Sequence, residues 1–218
     1  MTALPDSHGS RRVPRLPALL CAATVSLALA GAAVAQEGTR IDTRSTQRAA
    51  GSSVETVDKA PVIRPEFPVP DEPGMLFYLQ RSTNSNTVIY AARFLEDGRL
   101  DPDEPIVAYW RRYNTTGEKL PLKMIEDSFA FGVRAQATPD PDVFRIYIVS
   151  YPERTATLRR TGPGEARLSL RAGAYEYEPV YAYVDVDESG MVPSVRSVSV
   201  IGRDMASGNP LVETIRIE

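Results

Sequence analysis

From Gly74 onward the chain is cut into short apolar segments by Gly, Pro and Asn clusters, and that punctuation limits the fold more than any other feature. The segments are Leu76–Arg81, Thr87–Phe94, Pro105–Tyr113, Val143–Tyr151, Thr155–Arg160, Ala166–Arg171, Tyr175–Val186, Ser194–Ile201 and Leu211–Ile217. They are rich in Val, Ile and Tyr, and they recur at roughly 8–12 residues, the rhythm of antiparallel strands joined by tight turns. Asp97-Gly98 is a two-residue hairpin signal. Asn114-Thr115-Thr116-Gly117, Gly162-Pro163-Gly164, Ser189-Gly190 and Ser207-Gly208-Asn209-Pro210 mark further turns. Leu120 to Ser128 predicts the one helix, with Leu122, Ile125 and Phe129 on one face. Phe129 to Gln136 reads as a return to strand. No βαβ pattern is present. The predicted class is all-β, mainly an antiparallel sandwich or barrel-like sheet, with one short helix, and residues 74–218 suit a single domain.

The residues before this region read differently. Arg11, Arg12 and Arg15 precede an apolar run, Leu16 to Gly31, and Ala33-Val34-Ala35 offers small residues for cleavage before Gln36. This predicts a secretory signal peptide over 1–35, exporting the protein to a periplasmic or extracellular compartment, with no integral membrane span after cleavage. Ser10-Arg11-Arg12-Val13 hints at twin-arginine export as an alternative to the general route. Residues 36–73 read as a disordered, Pro-rich tether, closing with Pro61, Pro65, Pro68, Pro70 and Pro73.

Cleavage at Ala35 would also narrow the chemistry. The one Cys, Cys21, and the one His, His8, both lie in the predicted leader. The mature chain would then have no disulfide, no Cys or His ligand for zinc or copper, and no Ser-His-Asp or Cys-His nucleophile system. Neither a metal site nor a cofactor is expected. Loss of the leader takes 25 basic and 28 acidic residues to 22 and 27. A mildly acidic chain without a Lys/Arg block argues against a nucleic-acid partner.

Four stretches stand out as candidates for chemistry. "QRSTNSNTVIY", Gln80 to Tyr90, places six small polar residues between two apolar segments. Such residues form turns by bonding nearby backbone, but Gln80, Arg81, Asn84 and Asn86 also supply a polar binding surface. In "VAYWRRY", Trp110 and Arg112 share one face of a strand, while Tyr109, Arg111 and Tyr113 share the other. An inward Arg there requires a partner. In "AYEYEPVYAYVDVDESG", Tyr175, Tyr177, Tyr181 and Tyr183 fall on one parity unless Pro179 bulges the strand. Those four are either a platform for a flat ligand or ordinary strand residues. Glu176 and Glu178 are neighbours on one strand, a poor placement for paired-carboxylate glycoside chemistry. Asp185 to Gly190 resembles the start of a calcium loop, but Arg196 occupies the position that requires Glu, so an acidic turn is the better reading.

Together "LFYLQRSTNSNTVIYAARF", "DGRLDPDEPIVAYWRRY" and "FAFG" resemble the signatures of a family of exported bacterial proteins, domain of unknown function 4833. The resemblance runs from about Met75 to the C-terminus and is densest between Leu76 and Gly132. It falls on Gln80, Arg81, Asn84, Asn86, Tyr90, Tyr109, Trp110, Arg112 and Tyr113. The chain departs from the family pattern at Arg111, where an apolar residue is expected. The resemblance implies no activity or cofactor. It implies that the polar stretch is a signature and not only a turn.

The sequence thus points to a non-enzymatic binding or envelope-assembly module with no catalytic residues. The ligand-binding candidates are Gln80, Arg81, Asn84, Asn86, Trp110, Arg112 and Tyr113. The partner would be a small molecule, a glycan or an envelope protein. Two alternatives remain: a hydrolase or lyase acting on an envelope glycan through carboxylates, and a carrier of a lipid-like ligand. The first requires an acidic residue of raised pKa in a cleft, and the second a hollow apolar interior.

Overall fold

The computed structural model describes residues 49–191 and 193–217, and the predicted leader and the first part of the predicted tether lie outside them. The elements are β1 (Ala49–Thr56), β2 (Met75–Arg81), β3 (Asn84–Ala92), β4 (Ile106–Arg111), β5 (Lys119–Pro121), α1 (Met124–Phe129), β6 (Val133–Ala137), β7 (Val143–Ile148), β8 (Thr155–Gly162), β9 (Glu165–Ala172), β10 (Tyr175–Asp187), β11 (Ser194–Asp204) and β12 (Pro210–Ile217). The protein is mostly β with one short helix, as its strand-and-turn rhythm predicts. None of its described helices is long and apolar enough to cross a membrane.

The strands form one curled sheet that branches at β10. Along one edge of β10, Tyr175–Tyr177 pairs antiparallel with β9 and Tyr181–Val184 pairs parallel with β2. From these two partners run two wings, β9-β8-β7-β6 and β2-β3-β4-β5. The other edge of β10 carries β11, then β12, then β1. The wings bend toward each other until β4 neighbours β6, so the sheet makes a half-barrel. The β2–β10 pair is parallel, and every other pairing is antiparallel. A pairing so distant in sequence leaves no turn signal between its strands.

The break in β10 has a local cause. Pro179 lacks a backbone N–H, and the register against β11 shifts between Pro179 and Tyr181. Tyr177 therefore faces the interior with Ala182 and Val184, while Tyr181 and Tyr183 face outward. The single row of tyrosines expected from parity is split over two faces. Gly202, opposite Pro179, permits the bulge, since a Cβ there would lie 2.5 Å from the Tyr177 ring and 2.7 Å from the Glu178 carbonyl.

Two further expectations are corrected. The helix begins at Met124, not Leu120, because Lys119–Pro121 pairs as β5 with β4. Ile125 and Phe129, predicted to share a buried face, are exposed, and only Leu122 packs toward the core. The tether also does not stay extended in solvent over its described part. Ala49–Thr56 pairs with β12. The Pro-rich stretch that follows lies against the outer face of β2, β3 and β10: Ile63 packs beside Tyr78, Ile89 and Tyr181, and Pro70 is buried. Tyr181 donates its hydroxyl hydrogen bond to the Pro61 carbonyl, and Glu72 accepts from Tyr109 at 3.3 Å. This segment acts as a strap. It explains why β2 and β3 are apolar on both faces, since a sheet covered on both sides loses the alternation of a half-solvated one.

Candidate functional site

Residues Ser82 and Thr83 form the β2–β3 turn, with Arg81 paired to Asn84. Leu79 pairs with Val88, so three residues, Ser85, Asn86 and Thr87, bulge opposite Gln80. The polar run stabilises that bulge from within. Asn84 Oδ1 accepts from the Asn86 N–H at 3.0 Å, and Thr87 Oγ1 donates to the Ser85 carbonyl at 3.1 Å. Asn86 Oδ1 accepts from the Asn114 N–H at 3.2 Å, which ties the β4–β5 turn to the bulge. Ser82 extends the parallel ladder: its N–H donates to the Val184 carbonyl at 2.9 Å, and its Oγ accepts from the Val186 N–H at 2.9 Å. The turn residues thus serve the backbone and fix the direction in which Arg81 leaves the strand.

The structure divides the seven candidate ligand-binding residues. Phe77, Leu79 and Arg81 point into the half-barrel. Gln80 points out, where its Nε2 donates to the Pro68 carbonyl of the strap at 3.1 Å. Asn84 and Asn86 are occupied in the bulge. Tyr113 lies with Arg111 on the outer face, the guanidinium 5.5 Å from the ring centroid. Arg81, Trp110 and Arg112 come together. The Arg81 guanidinium lies 5.2 Å from the Trp110 ring centroid and 5.7 Å from that of Phe131, and the Arg112 guanidinium lies 4.6 Å from Trp110. Cations over an indole face are stabilised by its quadrupole. Trp110 is 1% exposed and donates its Nε1–H to Glu126 Oε2 at 2.9 Å, so it anchors α1 to the wall. The same Glu126 oxygen accepts the Lys123 N–H at 2.8 Å.

Arg81 is 6% exposed, and its Nε is buried with no hydrogen-bond partner. No ion pair among the described residues includes it. Burial lowers its pKa, and Arg112 pushes the same way, against weaker pulls from Glu126 and Glu188. A guanidinium stays charged in a protein even so.

Behind Arg81 the half-barrel is hollow. A cavity of about 400 Å³ lies between the wings, lined by Leu79, Ile146, Leu168, Tyr177, Ala182 and Val200 among other apolar side chains. That volume is within the range of small-molecule pockets, roughly 300–1,000 Å³. Its exposed lining residues, Ser128, Phe129, Ser150, Pro152 and Ser194, mark the mouth. They come from the end of α1, the β7–β8 loop and the start of β11. Phe131, against which Arg81 packs, sits just inside. Tyr90 donates its hydroxyl hydrogen bond to the Phe131 carbonyl at 3.0 Å and stacks on Phe77 at 4.3 Å, so the mouth segment is fastened to β3.

Behind the lining lies a polar group that the motifs did not reveal. Glu213 is fully buried on β12, and its Oε2 accepts from Tyr177 Oη at 2.6 Å and from Arg154. Oε1 has no partner. Burial, then the bond to Glu213, raises the Tyr177 pKa. A signal for this group exists in the sequence: Leu211, Glu213 and Ile215 share one parity, which puts an acid on an otherwise apolar face. The remaining acidic motifs are surface pairs. Glu176 pairs with Arg171, and Asp187 pairs with Arg196, the residue that replaces the calcium-loop Glu.

These features define an all-β half-barrel with an apolar hollow and a buried cation near its mouth. Within that class the chain belongs to a particular family: residues 77–214 match the model described as Domain of unknown function (DUF4833). No curated protein and no solved structure matches the chain.

Proposed function

We propose that this protein is a non-catalytic binding protein that holds a single-chain apolar or amphipathic small molecule inside the half-barrel. The observation that carries this reading is the apolar cavity of about 400 Å³. At roughly 30 Å³ per water-sized group it accommodates about a dozen chain carbons. The apolar part of this lining favours apolar guests, because filling it restores the dispersion contacts that an empty site lacks. The leader-like first 35 residues support a setting in the periplasm or outside the cell, where a carrier of sparingly soluble molecules, or an envelope-assembly module that presents one, has a use.

The carboxylate-enzyme alternative is supported less well. Its natural candidate, Glu213, is already engaged by Arg154 and Tyr177 and is not among the residues lining the cavity.

The test is native mass spectrometry of the protein purified without detergent, before and after incubation with dodecanoate and dodecanol. A stoichiometric added mass is expected, and it should be lost in Ala156→Phe, which projects a ring into the cavity from β8. A bare mass under every condition would sink the carrier reading.

A further inference from the structure

We propose that Arg81 is an anion-binding residue that fixes the head group of the bound molecule, so that the ligand is a single-chain amphiphile ending in a carboxylate or phosphate. This inference rests on the cavity-binding reading above.

Four observations carry it. First, Arg81 lines the cavity and lies near its mouth, against Phe131 and Trp110. Second, it is more than nine-tenths buried, and its Nε–H has no acceptor. A guanidinium carries five donors in a planar fork suited to carboxylate and phosphate oxygens. Burying such a group unmatched is unfavourable unless something else meets it. Third, among the described residues no carboxylate forms an ion pair with Arg81. Glu126 is held by Trp110 and by the first turn of α1, and Glu188 is exposed on the β10–β11 connection. Fourth, Arg112 lies on the same indole ring. The two cations on one ring repel each other, and an anion arriving from the mouth would relieve that repulsion.

The second arginine of the cavity provides the contrast. Arg154 also lines the hollow, but its charge is matched by Glu213. The cavity therefore holds one cation matched by a carboxylate and one without such a partner. An anionic head at Arg81 leaves the tail to run inward along Leu79, Ile146 and Leu168.

The experiment is calorimetric titration of the full chain with dodecanoate, dodecyl phosphate, dodecanol and acetate, repeated with Arg81→Met and Arg81→Lys. One or both anionic amphiphiles should bind at least about tenfold tighter than dodecanol, as a charge-assisted hydrogen bond implies. Which of the two binds tighter identifies the head. Arg81→Met should erase the preference, bringing the anionic amphiphiles to the level of dodecanol measured on the same variant, and Arg81→Lys should keep part of it. Equal binding of all three amphiphiles, or a preference that survives in Arg81→Met, would overturn the assignment of Arg81 while leaving the cavity reading intact. Acetate binding as tightly as dodecanoate would overturn the amphiphile assignment. No binding of any amphiphile would remove the cavity reading and this inference together. Should Arg81→Met fail to fold, the ratio of anion to alcohol in the native protein still decides.

Discussion

Breaking the Arg154–Glu213 pair should be the most costly single change outside the apolar core. Glu213 is 0% exposed and receives two donors on one oxygen, from Arg154 and Tyr177. In Arg154→Met the carboxylate keeps only the tyrosine hydroxyl. Removing one member of a buried pair costs about 3–5 kcal/mol, because the remaining charge is left without compensation. The Arg154 side chain is 22% exposed, which puts the expected cost at the lower end, about 3 kcal/mol. Glu213→Leu acts differently. It frees a guanidinium that can turn toward solvent and leaves the Tyr177 hydroxyl without its acceptor, at about 1–2 kcal/mol. The double variant removes both charges and should cost no more than Glu213→Leu alone. The coupling energy between the two sites is then about 3 kcal/mol. Urea unfolding of the four proteins measures it directly, since that difference moves the midpoint by about 1–2 M for a domain of this size. An Arg154→Met variant within about 0.5 kcal/mol of the native protein would refute the reasoning, as would a double variant whose cost is the sum of the singles.

Two further outcomes are expected. Gly202→Ala should destabilise by about 1–3 kcal/mol in the same unfolding assay, because its Cβ meets the Glu178 backbone as well as the Tyr177 ring and the carbonyl has nowhere to move; a neutral Gly202→Ala would disprove the close approach at the Pro179 bulge. The second concerns Asp187, whose carboxyl is held down at about 2 by hydrogen bonds from Ser189 and then by Arg196. A carboxylate depressed below its unfolded value of about 3.9 stabilises the fold above that pH, and the contribution is lost as the pH falls from about 4 to about 2. Carboxyl NMR titration should place its midpoint near the lower figure and show a rise in Ser189→Ala, whereas a midpoint near 4 in the native protein would contradict the geometry.

How much of this was legible beforehand depends on whether the cause of each feature is local. Turns are local. Asp97-Gly98 reads as a two-residue hairpin turn; the chain does turn there, but through the three residues Glu96 to Gly98, closed by the Phe94–Leu100 bridge, with Gly98 at φ 78° and the β8–β9 turn seated on it, the Gly164 N–H donating to the Gly98 carbonyl at 2.9 Å. The strand rhythm is local too, so the all-β class with one helix follows from it. The Pro179 break in β10 was foreseeable in the same sense, since the missing N–H is written in the residue. What failed were inferences about faces, because a face is defined by what covers it. Ile125 and Phe129 have helical spacing, yet a helix of six residues held down by Glu126 through Trp110 buries neither of them. The Pro-rich segment looks solvated by composition, yet Ile63 and Pro70 close the outer side of β2 and β3. The unbroken apolar runs Met75–Leu79 and Val88–Tyr90 already demanded a second cover, and no other segment was assigned to supply it.

The site follows the same division. That Arg112 and Trp110 share a face is a statement of strand parity, and it stands. Gln80 and Arg81 are adjacent in sequence and for that reason point opposite ways, one to the strap and one to the hollow. The polar run from Ser82 to Thr87 did not reveal whether it bound a ligand or shaped a turn, since both uses select the same residues. The structure gives its bonds to the backbone, and this leaves Arg81 as the member whose charge remains unmet. That difference is invisible in composition, because it depends on which acids reach it in space. Glu126 lies near but is engaged elsewhere, and Glu213 belongs to Arg154. Among the described residues Arg81 is the buried cation without a carboxylate partner, and it lies beside an apolar hollow of about 400 Å³, so a charged head and an apolar tail would meet adjoining parts of one cavity.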